Sequence, residues 1–151
     1  MKICFAASSG GHLEQLLMLT PMMNKYDSFV LTEKTNYEMN KKGLNIVKVP
    51  QVNRREKTFI FKFLLLSIQT LFIFLKEKPD VVISTGALAT VPMCTIAKIF
   101  RKKVIFIESF SKISSPTVTG KLMYKIADQF IVQWEDMIKH YPKAIYGGGI
   151  Y

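Results

Sequence analysis

Three short segments carry side chains suited to binding or proton transfer: Ser8-Ser9-Gly10-Gly11-His12, Ser84-Thr85-Gly86 and Glu108-Ser109. Gly10 and Gly11 lack the Cβ atoms that would keep a ligand off the backbone. The free N–H groups of a helix starting there, with its dipole, suit anions or sugar hydroxyls. The segment has neither the full glycine spacing of the dinucleotide fingerprint nor the Lys-Ser/Thr that closes a phosphate loop, so no nicotinamide or ATP reading has motif support. A purely structural role stays open, in which the glycines make a tight connection and Ser9 caps the helix. No metal-ligand spacing is present, and no cofactor is expected.

The elements that must position these residues follow from hydrophobic pattern. Apolar, β-branched runs at Lys2–Ala7, Ser28–Thr32, Asn45–Val49, Val81–Ser84, Val104–Ile107 and Gln129–Val132 predict strands. Helical segments are predicted from Gly11, with Leu13, Leu16, Leu17 and Thr20 at helical spacing, from about Thr58 to Lys78, and from Ala87 and Thr119. This alternation predicts an α/β fold, a Rossmann-like parallel sheet with helices on both faces. In such sheets ligands lie beyond the C-terminal strand ends, where all three segments fall. Convergence on one rim favours a shared site.

At 151 residues the chain fits one domain spanning 1–151. Its net charge of +10 implies an anionic partner, with basic residues clustered at Lys41-Lys42, at Arg54-Arg55 with Lys57 and Lys62, and at Arg101-Lys102-Lys103. Most aromatic residues fall inside apolar runs rather than among these clusters, so no nucleic-acid partner is expected. Cys4 and Cys94 sit among apolar neighbours and read as buried thiols of a reducing compartment. The apolar start is too short for a signal peptide.

The stretch Phe59–Leu75 is apolar nearly all round, and Lys62, Gln69 and Lys76 leave one narrow polar stripe. Its length nears that of a bilayer span, but Lys62 within it and strands on both sides favour a helix lying in the interface, over about 58–76. Arg54, Arg55, Lys57 and Lys62 would meet anionic headgroups, and Phe63 and Phe72 the apolar layer. A partner protein covering this face is the alternative. The tail from about 142 to 151, with glycines between Ile145, Tyr146, Ile150 and Tyr151, reads as a flexible docking segment, either on a partner or on its own domain.

With these motifs in their order, the chain resembles the acceptor-side subunit of split glycosyltransferases. These are bacterial capsule and exopolysaccharide proteins related to the membrane-anchoring subunit of the eukaryotic two-subunit enzyme that adds the second N-acetylglucosamine to dolichol-linked oligosaccharide. The resemblance rests on Ser8–Glu14, Pro79–Gly86, Ile107-Glu108-Ser109, Ser114–Lys121, Ala127-Asp128 and Gln133-Trp134-Glu135. It implies the N-terminal half of a GT-B arrangement, at the cytoplasmic face of the cell membrane. A separate catalytic chain would bind the UDP-sugar, and a lipid-linked saccharide would be the acceptor. It further implies that Ser9, Gly10, Gly11, Ser84, Thr85, Gly86 and Ser109 bind substrate and that His12 takes the acceptor proton, with Glu108 as rival base and Glu14 a weaker one. The structural alternatives are a His12 that only hydrogen-bonds the Ser84–Gly86 loop and a Glu108 that partners Ser109 or a nearby lysine. Ile145, Tyr146, Ile150 and Tyr151 would meet the partner. Two departures are visible: relatives in eukaryotes carry an N-terminal membrane helix, and Gly147-Gly148-Gly149 stands where a bulky residue is expected. A stand-alone small transferase and a purely structural membrane adaptor are the other readings.

Overall fold

Val, Ile and Phe dominate the predicted strands without polar alternation, and burial on both faces of one sheet explains that pattern. The computed structural model describes residues 1–35 and 43–151; the Lys41-Lys42 pair lies outside the described residues. The elements run β1 (Lys2–Ala7), α1 (Gly11–Leu17), α2 (Thr20–Lys25), β2 (Asp27–Glu33), β3 (Ile46–Val49), α3 (Phe59–Glu77), β4 (Val81–Gly86), α4 (Val91–Ile99), β5 (Lys103–Ile107), α5 (Val118–Ile126), β6 (Gln129–Val132) and β7 (Ile145–Tyr146). Short 3-10 turns precede α4 at Leu88–Thr90 and follow β6 at Glu135–Lys139.

All strand pairings are parallel, in the order β3-β2-β1-β4-β5-β6-β7. The chain therefore winds outward one way from β1 and the other way from β4, and a crevice opens where those two ends part. One face of the sheet packs Phe5, Val30, Ile83 and Ile107 against Leu13, Leu16 and Leu17 of α1. The other packs Cys4, Phe29, Val82 and Phe106 against Leu66 and Phe74 of α3, Met93 and Cys94 of α4, and Met123 of α5.

The helix expected to run on from Gly11 is two helices. α1 ends at Leu17, and Pro21 stands in the first turn of α2, where its missing N–H costs nothing. α3 stops at Lys78, which takes the left-handed conformation (φ 48°) directly before Pro79. The second strand and β4 each extend beyond their predicted ends, to Glu33 and Gly86. β7 lies within the segment that the pattern predicts as a tail.

Candidate functional site

The β1–α1 and β4–α4 loops are bonded to each other. The His12 Nδ1 lies 2.8 Å from the Thr85 carbonyl oxygen, and the Thr85 hydroxyl donates to the His12 carbonyl at 2.7 Å. The Ser8 N–H donates to the Gly86 carbonyl at 2.9 Å. A carbonyl only accepts, so Nδ1 carries the proton and the lone pair of the neutral ring sits on Nε2, the nitrogen a base needs free. Gly86 has φ +94°, and a Cβ there would stand 3.4 Å from the His12 ring, so this glycine lets the imidazole lie against the strand end.

Gly10 has φ +82° and accepts the N–H groups of Leu13 and Glu14, which starts α1 without a side-chain cap. The capping role for Ser9 is therefore corrected: its N–H donates instead to Glu33 Oε2 at 3.3 Å. A Cβ on Gly11 would meet nothing, so no contact within the fold demands glycine there.

Ser84, Thr85 and Gly86 are buried. The Ser84 hydroxyl donates to Thr90 Oγ1 at 3.0 Å and accepts the Gly86 N–H at 3.1 Å. With Thr85 bonded to His12, these residues shape the wall behind the imidazole, and both hydroxyl protons are spent within the fold. Ser109 does reach the rim: it lines a cavity of about 190 Å³ with Gly11, His12, Gln15, Phe110 and Tyr151. On the other side of the β1 and β4 ends a larger cleft of about 460 Å³ is lined by Ser8, Glu33, Arg54, Arg55 and Ala87 among others. Hydrophobic pattern gave no sign of that cleft, because the loops forming it meet only through the fold.

Glu108 does not fit the role of rival base. It is 1% exposed, and its carboxylate accepts from the Ser109 N–H (2.9 Å), the Thr117 hydroxyl (2.9 Å), the Thr117 N–H (3.3 Å) and the Tyr141 hydroxyl (2.7 Å). Its lone pairs are used in tying β5, the loop before α5 and Tyr141 together. Glu14 is exposed on α1 and does not line the His12 cavity. Thr117 in turn caps α5 by accepting the Gly120 N–H at 2.7 Å. Burial and the bond to Glu108 hold the Tyr141 phenol well above its ordinary value of 10.0. Burial likewise raises the Cys4 thiol well above 9.0 and pushes Cys94 up to about 12. All three folded-state values lie above the unfolded ones, so their contribution is complete at neutral pH and is lost as pH rises through and beyond about 9 to 10. We expect the unfolding free energy from urea titrations to fall above about pH 9, by up to about 1.4 kcal/mol per pH unit for each group titrating in the unfolded chain, and the midpoint with it. An unchanged midpoint between about pH 8 and about pH 11 would contradict this.

α3 presents Ile60 (81% exposed), Phe61 and Phe72 outward together with Leu64, Leu65 and Ile68. By length and composition it is long and apolar enough to cross a membrane. Phe63 is corrected: it turns inward, 5.7 Å from Phe59, and packs on the core. Lys62 pairs with Glu56, and Arg54, Arg55 and Lys57 are exposed.

The tail is ordered on its own domain. Ile145 and Tyr146 pair with β6 as β7, and the Ile150 N–H donates to Gln133 Oε1 at 2.9 Å while its side chain joins the core. The Tyr151 ring lies 5.0 Å from Phe110. Cβ atoms on Gly147 and Gly149 would come within 2.8 Å of Ile131 and 3.3 Å of Phe110, so these glycines permit close docking and the expectation of a flexible tail is corrected. Ile145, Tyr146 and Tyr151 nonetheless keep more than half their surface exposed.

The fold has counterparts among known structures. The fold is similar to that of Acinetobacter baumannii MurG (TM-score 0.73, 17% identity, 90% of this chain and 43% of that one). It is also similar to UDP-N-acetylglucosamine 2-epimerase from Rickettsia bellii (TM-score 0.75, 14% identity, 99% and 45%), so this chain spans under half of either protein. Two sequence relatives match over most of their length. The human UDP-N-acetylglucosamine transferase subunit ALG14 is 27% identical over 99% of this chain and 83% of its own. The Schizosaccharomyces pombe subunit of the same name is 28% identical over 93% and 79%. The model of the family described as oligosaccharide biosynthesis protein Alg14 like matches residues 3–150, and the chain belongs to that family.

Proposed function

We propose that this chain is a non-autonomous subunit of a membrane-associated UDP-sugar glycosyltransferase. In this reading it works at the cytoplasmic face of the cell membrane in assembling capsular or exopolysaccharide repeat units. It recruits and activates a catalytic partner that binds the UDP-sugar, and it completes the site for a lipid-linked acceptor. The observation that carries this reading is the match over residues 3–150 to a family whose relatives are named as transferase subunits. One feature supports it: the β1/β4 crevice opens on a rim that a second chain can close.

In the transfer, the acceptor hydroxyl oxygen bonds to the anomeric carbon as the bond from that carbon to the diphosphate breaks. The nucleoside diphosphate leaves, and the hydroxyl proton goes to His12 Nε2, which the Thr85 bond leaves free. Gly10 and Gly11 give the acceptor access to the backbone, with Ser9 and Ser109 flanking it. The outward face of α3, with Arg54, Arg55, Lys57 and Lys62, rests on the bilayer. Ile145, Tyr146 and Tyr151, with Ile150 beneath them, form the surface that meets the partner.

The test is transfer from radiolabelled UDP-sugars to a lipid-linked acceptor, comparing this chain, its partner, both together, and both with His12→Ala. The expected result is activity only in the mixture, lowered by about 10²–10⁴-fold in the variant with assembly intact. Clear transfer by this chain alone sinks the subunit reading. Full activity of the variant reduces His12 to a tie between loops and the chain to an adaptor.

A further inference from the structure

Three buried side-chain atoms have no hydrogen-bond partner among the described residues: Gln15 Nε2, Thr32 Oγ1 and Thr70 Oγ1. Thr70 lies on the inward face of α3 beside Leu66 and Phe74, and Thr32 borders a space of only about 20 Å³. Gln15 differs, because it lines the cavity beside His12. The two stand three residues apart on α1, which puts them on one helix face. Gln15 is 2% exposed, and a buried amide left without a partner is costly enough that folded chains rarely keep one.

We propose that Gln15 is a specificity-determining residue of the acceptor site, its side chain turning on binding so that the amide, covered in the free protein, donates to a carbonyl or hydroxyl oxygen of a neutral sugar ring. The inference rests on reading this rim as the acceptor's. The ligand class follows from the cavity lining. Apart from the titratable His12 it consists of Gly11, the Gln15 amide, the Ser109 and Ser111 hydroxyls, Phe110 and Tyr151. Among the described residues no lysine or arginine lines it to offset a phosphate, and Arg54 and Arg55 line the other cleft. A sugar ring has a flat apolar face for the Phe110–Tyr151 pair and a polar edge for hydroxyl and amide groups. At about 190 Å³ the cavity falls below the usual range for drug-sized ligands, about 300–1,000 Å³, and suits one ring. The Ser109 and Ser111 hydroxyls lie 3.0 Å apart, and Phe110 is fixed by the Trp134 Nε1–H bond to its carbonyl at 2.7 Å, so the wall facing Gln15 is set in advance.

The full chain, ¹⁵N-labelled, is titrated with methyl N-acetyl-β-glucosaminide and, separately, with inorganic pyrophosphate, while the Gln15 side-chain amide resonances are followed. A saturable shift with the sugar and none with pyrophosphate is expected. Gln15→Leu should weaken sugar binding at least about tenfold, the scale of one lost hydrogen bond, and melt about 3 °C higher because an unpartnered donor has been removed. Gln15→Met, which keeps the side-chain length, should show the same pair of changes. Binding within twofold of the parent in both variants overturns the proposal, as does the absence of any sugar-induced shift in the parent. A shift with pyrophosphate alone overturns the neutral-sugar assignment. Transfer assays with the partner separate the two levels. A KM for acceptor raised about tenfold at unchanged kcat supports both, whereas sugar binding lost in Gln15→Leu while His12→Ala transfers normally removes His12 from the chemistry and leaves the Gln15 site standing.

Discussion

Gly120→Ala prevents this chain from folding stably. A Cβ at that position would stand 1.8 Å from Glu108 Oε2, 2.6 Å from the Tyr141 hydroxyl and 2.7 Å from Glu108 Cδ, so no small adjustment accommodates it. The Glu108 carboxylate would have to leave, abandoning the Ser109 N–H, both Thr117 donors and the Tyr141 hydroxyl in the interior. Each buried polar group left unmatched costs about 1–3 kcal/mol, and a buried carboxylate more. The sum is at least about 5 kcal/mol, comparable with the whole stability of a domain this size. Circular-dichroism melting should show a drop of at least about 10 °C or loss of the transition. A melt within about 3 °C of the parent would contradict the packing described. Glu108→Gln separates structure from chemistry. It keeps the side-chain shape, should cost about 2 kcal/mol, and should leave transfer with the partner within a few-fold, whereas a catalytic base would lose far more.

Ile60→Ser, Phe61→Ser and Phe72→Ser together should release the protein from membranes while leaving its melting temperature unchanged. These side chains are 81%, 64% and 67% exposed and contribute little to the fold. Full burial of one such group is worth about 1.5–3 kcal/mol. At roughly half-burial in a bilayer interface, the three lose about 3 kcal/mol, about a hundredfold in partitioning. Flotation with vesicles containing anionic lipid measures this. Charge reversal at Arg54 and Arg55 should add to the loss, at about 1 kcal/mol for each positive charge removed and more from repulsion, and the effect should fade with salt. Undiminished flotation of the triple variant, with loss of partner binding instead, would assign the face to a protein.

Six of the seven strands can be read from runs of β-branched residues, and Lys2–Ala7 and Gln129–Val132 coincide with β1 and β6 residue for residue. Burial on both faces makes such runs legible. β7 is too short to have a pattern: Ile145 and Tyr146 are a strand only because Ile131 and Val132 pair with them. Phe63 reads as outward because the apolar residues of α3 nearly encircle the helix, and composition alone cannot say which side meets the sheet. The glycine loop and His12 are visible in sequence, but the bond orienting the imidazole comes from Thr85, and what occupies Glu108 comes from Thr117 and Tyr141. Those partners are distant along the chain, and only the winding of the sheet brings them within reach. Gln15 reads as an ordinary polar helix residue until its burial is known.

The strand order also has a consequence for synthesis. β1 is made first, yet its neighbour on one side, β4, follows only after α3. During that interval on the ribosome, α3 has emerged without α4 or the β4 side of the sheet, so only the β3-β2-β1 half is there to cover Leu66 and Phe74. The nascent chain at that point carries a nineteen-residue helix that is apolar apart from one narrow stripe. Unshielded, such an intermediate is prone to self-association, so a bilayer or a chaperone near the exit tunnel would decide how much chain survives to complete the sheet.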